Sequence, residues 1–182
     1  MLADRIAKRY ASALYQLAVE KNIVADLHKD LTDLVKLIGE SKDLRILLRS
    51  PIITHEQKVP IFKKIFEGKV HKALMVFIVT LTRRSRENLL PIVAREFFLL
   101  YNEANKITEA DLITPKLLEP AMKHEIASKL EKAFGTKVIL NEKLDADLIG
   151  GFQIRIGTAL LDASIANSLR QIKKKLTQNL TN

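Results

Sequence analysis

The residue types that could carry out catalysis lie far apart in this chain. A serine nucleophile needs a general base beside it, and no histidine lies near Ser164 in the sequence. The histidines are isolated and lack the i, i+4 or HExxH spacing of metal sites; they are His28, His55, His71 and His124. Cysteine is absent, which excludes thiolate chemistry and disulfides. We therefore expect no catalytic residue, no metal and no cofactor.

The segment GGFQIRIG, which starts at Gly150, has the glycine content of a phosphate-binding loop but the wrong context. Phosphate loops place glycine amides after a strand and before a helix, whereas these glycines precede a strand. A close approach of two backbone segments explains Gly150 and Gly151 better. Ser164 suits the N-cap of the helix that follows, with Asp162 favourable near the positive end of that helix. A small hydrolase that uses Ser164 and a remote histidine is the catalytic alternative.

The net charge of +9 raises the possibility of an acidic or nucleic-acid partner. The excess is spread along the chain, +6 over residues 1–105 and +3 over 106–182. Two basic clusters, Arg83 to Arg86 and Lys173 to Lys175, stand near predicted helix ends, where cations complement the helix dipole. No aromatic RNA-binding pattern or recognition helix accompanies them. A basic helical nucleic-acid-binding protein is kept as the alternative function.

Residues 1–105 show the 3.6-residue hydrophobic period of consecutive amphipathic helices. Ser41 and Thr54 are predicted N-caps, Pro51 ends a short helix, and a nearly all-apolar fifth helix covers about Val70 to Arg84. The first helix has two stripes, an apolar face of Ile6, Tyr10, Leu14 and Leu17, and small residues at Ala7, Ala11 and Ala18. The longest apolar run is far shorter than the roughly 20 residues of a membrane-spanning helix, so we expect no span.

The pattern changes after Asn105. We interpret Lys106 to Pro115 as an extended connector, followed by a helix from Pro120, a strand, a two-stranded hairpin that turns at Gly157, and a final helix. The predicted fold is mainly α. An N-terminal six-helix bundle over residues 1–105 is followed by a small C-terminal α/β domain with a short β-sheet over 106–182.

Three segments resemble the δ subunit of bacterial F-type ATP synthases, the relative of the mitochondrial oligomycin-sensitivity-conferring protein. AKRYASALYQLAVEKN (Ala7 to Asn22) is similar to the family's first helix, and NLLPIVAREF (Asn88 to Phe97) to its sixth. The most specific match is LIGGFQIRIGTALLDASIANSLRQIKKKL (Leu148 to Leu176), with the glycine pair, Arg155, Asp162 and Ser164 in place. Thr158 and Ala163 depart from the family's usual Asp and Gly.

The resemblance implies a non-catalytic stator subunit, a monomer within a larger complex, located at the cytoplasmic face of the bacterial plasma membrane. Its N-terminal domain would hold N-terminal segments of the α subunits between the first and fifth helices. The candidate contacts there are Tyr10, Ala13, Leu14, Leu17, Phe77, Ile78 and Leu81, with a place in the bundle core as the alternative for each. Its C-terminal domain would meet the b subunits of the peripheral stalk, with Arg170, Lys173 and Lys174 as candidates and a solvated tail as the alternative. Structural roles fall to Gly150, Gly151, Arg155, Gly157, Asp162 and Ser164.

Overall fold

A computed structural model describes residues 2–171 of the chain. The fold is mainly helical with one small four-stranded sheet. It divides into two compact units between Ala104 and Asn105, one residue before the boundary expected from the sequence. Within the described residues, no helix combines the length and the apolar character that crossing a membrane requires.

The described part of the first unit contains six α-helices and one short 3-10 helix. In chain order these are α1 (Leu2–Glu20), α2 (Val24–Glu40), α3 (Lys42–Arg49), α4 (His55–Phe66), α5 (Lys72–Arg83), the 3-10 helix (Glu87–Leu89) and α6 (Leu90–Ala104). Both predicted caps are present. The Ser41 hydroxyl accepts the Leu44 amide at 3.2 Å, and the Thr54 amide donates to Gln57 Oε1 at 3.2 Å. Satisfying these otherwise unpaired amides fixes where α3 and α4 begin.

The buried side of α1 is its alanine stripe, together with Leu14. Ala7, Ala11 and Ala18 are fully buried, whereas Ile6, Tyr10 and Leu17 of the predicted apolar face are only half-buried. Small side chains allow a neighbouring helix to approach closely, and α1 packs most extensively on α6. Tyr15 of α1 meets Phe97 of α6 edge to face, with 5.4 Å between ring centroids. Ile6, Tyr10 and Leu17 are therefore left half-buried at the surface of the unit.

A buried ion pair lies within this helical unit. Lys58 of α4 is bonded to Glu87 of the 3-10 helix, and its ammonium also donates to the Ser50 carbonyl at 2.7 Å. Both charged side chains are more than nine-tenths buried. The pair ties the start of α4 to the turn between α5 and α6.

The second unit is built on a sheet of strand order β2-β1-β3-β4. Its elements are β1 (Ile107–Thr114), α7 (Pro120–Phe134), β2 (Lys137–Leu144), β3 (Gly151–Ile156) and β4 (Ala159–Ser164), after which residues 165–171 are helical. β1 runs parallel to β2, with α7 as the crossover, and antiparallel to β3. β3 and β4 form the predicted antiparallel hairpin.

The interpretation of Lys106 to Pro115 as a connector is wrong. The segment is extended as expected, but as β1 it is an inner strand paired on both edges, with Leu112 and Ala110 buried. Its side chains at alternate positions join Val138 and Ile154 in the core of the second unit. β1 begins at Ile107, shortly after α6 ends at Ala104. Because β1 is paired with β2 and β3, a flexible insertion within it would disrupt the sheet.

Candidate partner-binding site

Tyr10 joins α1 to the region around α5. Its ring meets Phe77 edge to face, with 6.1 Å between centroids and an interplanar angle of 77°. Arg86 Nη1 donates to the Tyr10 hydroxyl at 3.1 Å, and the guanidinium carbon lies 5.8 Å from the ring centroid. A hydrogen bond and a cation–π contact thus fix one aromatic ring at the surface. Tyr10 and Phe77 are both half-buried.

A cleft of about 500 Å³ adjoins this aromatic pair. It is lined by Arg5, Ile6, Arg9, Tyr10, Ala13, Arg84 and Arg86. Four of the seven lining residues are arginines and none is acidic. The cleft therefore combines an apolar floor on α1 with a positively charged wall.

The structure separates the seven predicted α-subunit contacts into two groups. Tyr10, Leu17 and Phe77 are half-buried and Ala13 is exposed. These four side chains, on α1 and α5, are therefore accessible to a partner. Leu14, Ile78 and Leu81 are 4%, 0% and 0% exposed and belong to the core. For these three the prediction of a partner contact is corrected, because their side chains are covered by the unit's own helices.

The sequence does not identify the arginines of the cleft as site residues. Arg84 and Arg86 were interpreted only as charges near a helix end. Arg5 and Arg9 are one helical turn apart on α1, on the flank of the half-buried face, and this spacing was the available signal. The sequence does not show that Arg86 contacts Tyr10, because the two residues are 76 positions apart in the chain.

Gly151 and Gly157 have the backbone roles predicted for them, whereas Gly150 lies against a side chain and not against a second backbone segment. Gly151 has φ +80°, and a Cβ built there would lie 2.4 Å from the Ala163 carbonyl oxygen. At Gly150 a Cβ would meet the Ile165 side chain at 2.6 Å. Gly157 turns the hairpin with φ +58°. Neither Thr158 nor Ala163, where the chain departs from the family pattern, needs a positive φ.

Ser164 is the N-cap of the helical residues 165–171. It is 2% exposed, and its Oγ accepts the Asn167 amide at 3.2 Å. Asp162 Oδ1 in turn accepts the Ser164 amide at 3.0 Å. Hydrogen bonds from the Ser164 hydroxyl and amide lower the pKa of Asp162 from its ordinary value. A serine buried and bonded in this way is a structural residue, and this argues against a nucleophile.

The remaining predicted residues lie at the surface or outside the described chain. Arg155 is exposed on β3, opposite Leu160 of β4 and Asp111 of β1. Arg170 is exposed, and its charge contributes to lowering the pKa of Asp162. Lys173 and Lys174 lie outside the described residues. In residues 2–171, no group of three or more histidine, aspartate or glutamate side chains is arranged to hold a metal ion.

Comparison with known proteins places both units in one family. The model of the ATP synthase delta (OSCP) subunit family matches residues 6–176. ATP synthase subunit delta of Chlorobaculum parvum is 35% identical over 170 residues, covering 93% of this chain and 94% of the relative, and that of Chloroherpeton thalassium is 33% identical, covering 97% of each. A chain in the cryo-EM structure of the Toxoplasma gondii mitochondrial ATP synthase hexamer has a similar fold, with a TM-score of 0.75 at 24% identity, covering 94% of this chain and 97% of that one. The chain therefore belongs to the ATP synthase delta (OSCP) subunit family.

Proposed function

We propose that this protein is a non-catalytic stator subunit of an F-type ATP synthase, linking the catalytic head of α and β subunits to the b subunits of the peripheral stalk. The observation that carries the proposal is the family match over residues 6–176, which spans both units of the chain. A head that is held still against the rotating central stalk converts torque into ATP synthesis. Holding requires binding surfaces rather than a reactive site, and the buried, capped Ser164 fits that requirement.

The first unit, whose six helices share one hydrophobic core and form the proposed six-helix bundle, binds N-terminal segments of the α subunits. An amphipathic helix docks in a groove through a few apolar anchors. Tyr10, Ala13 and Leu17 of α1 and Phe77 of α5 supply such a surface, because each of them is half-buried or exposed. Val76 of α5, which is 66% exposed, extends the apolar character of this helix at the surface.

The second unit binds the C-terminal part of the b subunits. Large apolar side chains are exposed on both its helices and its hairpin, and exposed apolar surface of this kind is typical of contact sites. They include Met122 and Phe134 of α7, Leu160 and Leu161 of β4, and Ile165 and Leu169 of the C-terminal helical residues. Arg170, next to Leu169, pairs in this proposal with acidic residues of the stalk. Lys173 and Lys174, which lie outside the described residues, are the further candidates.

Two moderate interfaces in one chain hold the head better than either one alone. When one unit is bound, the second binds at a high effective concentration, so the combined affinity exceeds both. The protein acts as a monomer within the complex, at the cytoplasmic face of the bacterial plasma membrane. The alternative of a nucleic-acid-binding protein has no support from the relatives found.

The test uses the full-length chain and two probes, an α-subunit N-terminal peptide and a soluble b-subunit fragment that includes the C-terminus. Ala13→Trp fills the surface beside Tyr10 and should abolish binding of the α peptide while leaving b binding intact. Leu169→Asp should abolish binding of the b-subunit fragment while leaving binding of the α peptide intact. Val19→Trp, an equally large change at an exposed position on another side of α1, is the control. Binding of neither probe by the unaltered protein, or the reverse assignment of the two variants, would overturn the proposal.

A further inference from the structure

The cleft beside Tyr10 concentrates positive charge without an acidic counterpart. Arg5 and Arg9 come from α1, while Arg84 and Arg86 come from the turn after α5. Asp4, the acidic residue next to them on α1, lies 3.9 Å from Arg95 of α6 and is not part of the cleft lining. Like charges in a shared cleft repel one another, and an anionic group placed among them relieves that repulsion.

The charged wall is continuous with the apolar groove. Tyr10 and Ala13 line the cleft and also belong to the proposed α-subunit contact. Arg86 is held at their junction by its hydrogen bond to the Tyr10 hydroxyl and by its position over the ring. An occupant of the groove that reaches Ala13 therefore also passes the guanidinium groups.

We propose that Arg5, Arg9, Arg84 and Arg86 pair with carboxylate side chains of the segment bound between α1 and α5. This inference rests on the proposed function and specifies the partner's chemistry at that site. Arginine binds carboxylates through two parallel hydrogen bonds, which gives orientation as well as attraction. The apolar anchors supply affinity, and the arginine cluster sets the register and the orientation of the segment in the groove.

Carboxylates on a helix suit this surface better than a free anion. Inorganic phosphate would pair with the guanidinium groups but leave the adjoining Tyr10 and Phe77 surface uncovered. A helix with acidic residues on one flank covers both parts of the surface at once. Arg5, Arg9 and Arg84 are exposed and Arg86 is half-buried. Each ion pair is therefore weak alone, and several pairs are needed for a measurable effect.

The experiment measures binding of the α-subunit N-terminal peptide to the full-length protein by calorimetry at low and high salt. A second peptide has every Asp and Glu replaced by Asn and Gln. Arg9→Glu combined with Arg84→Glu should weaken binding of the first peptide roughly tenfold at low salt. The neutralised peptide should bind the unaltered protein less tightly than the first peptide does. Arg9→Glu combined with Arg84→Glu should weaken binding of the neutralised peptide much less than binding of the first peptide. Arg49→Glu combined with Lys63→Glu, at exposed sites on α3 and α4 outside the cleft, is the control because it changes the net charge by the same amount.

The outcomes separate this inference from the proposed function. If the unaltered protein binds the peptide but neither Arg9→Glu combined with Arg84→Glu, the neutralised peptide nor salt changes the affinity, the arginine inference is wrong and the groove assignment stands. If Arg49→Glu combined with Lys63→Glu weakens binding as much as Arg9→Glu combined with Arg84→Glu, the effect belongs to net charge and the inference is again wrong. Competition of inorganic phosphate or of anionic vesicles at the cleft, with equal binding of both peptides, would assign the arginines to another anion. No peptide binding at all would overturn the proposed function itself.

Discussion

Lys58 and Glu87, from α4 and the 3-10 helix, form an ion pair in the interior of the first unit, where both are more than nine-tenths buried. Only the lysine of the pair makes a further hydrogen bond. Lys58 also reaches the Ser50 carbonyl, whereas Glu87 Oε2 has no hydrogen-bond partner among the protein atoms described. Such an arrangement fixes the relative position of two elements, but it depends on both charges being present.

Replacing one partner should therefore be far more damaging than replacing both. Lys58→Met leaves the Glu87 carboxylate buried without its cation, and we expect a loss of roughly 3–5 kcal/mol in the free energy of unfolding of the first unit. Combining it with Glu87→Leu should restore most of that loss. Urea denaturation of the full chain, with hydrogen exchange in α4 to identify the unit, measures both. Lys63→Met, at an exposed position of the same helix, is the control, and equal losses in the single and double variants would contradict this account.

The contact between Arg86 and Tyr10 should be measurable as a coupling energy. Tyr10→Phe keeps the edge-to-face contact with Phe77 but removes the hydroxyl that accepts from Arg86. In a double-mutant cycle with Arg86→Met, we expect a coupling of about 0.5–1.5 kcal/mol in the stability of the first unit. Urea midpoints of the four proteins provide the numbers. Strict additivity of the two changes would mean that the hydrogen bond contributes nothing in solution.

Local signals in the sequence predicted the elements of this fold well. Ser41, Thr54 and Ser164 each precede a helix because a side-chain or backbone cap there satisfies free amides, and this rule needs only neighbouring residues. Gly151 and Gly157 were assigned to a close approach and a turn for similarly local reasons. The alternation in β3 likewise predicted the hairpin, since successive side chains of a strand face opposite sides.

The failures came from contacts between distant residues. The sequence marks Ile6, Tyr10 and Leu17 as an apolar face of α1, but it does not show that close packing on α6 leaves this face half-buried while the alanines are fully buried. β1 resembled a linker because its pairing partners, β2 and β3, come later in the chain. The burial of Ile78 and Leu81 and the assembly of the arginine cleft also depend on contacts between residues that are distant in the sequence. For this reason the sequence did not predict them. No periodicity within one helix tells which of its two apolar sides meets its neighbours.

The Asp162 carboxylate should stabilise the second unit in a pH-dependent way. Hydrogen bonds from Ser164 lower the pKa of Asp162 below its ordinary value of 3.8. A carboxyl with a lowered folded-state pKa contributes stability above the unfolded-state value, and this contribution is lost as pH falls through the folded-state pKa. Asp162→Asn should therefore reduce stability at neutral pH, with a difference from the unaltered protein that shrinks below pH 3.8. Thermal unfolding across pH tests this, with Asp147→Asn as an exposed control; a difference that persists unchanged in acid would refute it.

The two positive-φ glycines of the hairpin should respond very differently to alanine. At Gly157, with φ +58°, a new Cβ would meet nothing within 4 Å, so Gly157→Ala should cost only the left-handed backbone penalty of about 1–2 kcal/mol. At Gly151 the same penalty adds to a clash with the backbone of β4, where the Cβ would lie 2.4 Å from the Ala163 carbonyl oxygen. We expect Gly151→Ala to cost roughly 2–5 kcal/mol. Loss of amide-exchange protection in residues 151–164 under mild urea provides the comparison. Equal effects would show that β3 and β4 separate to accept a side chain, and that the glycine pair is not required for their close approach.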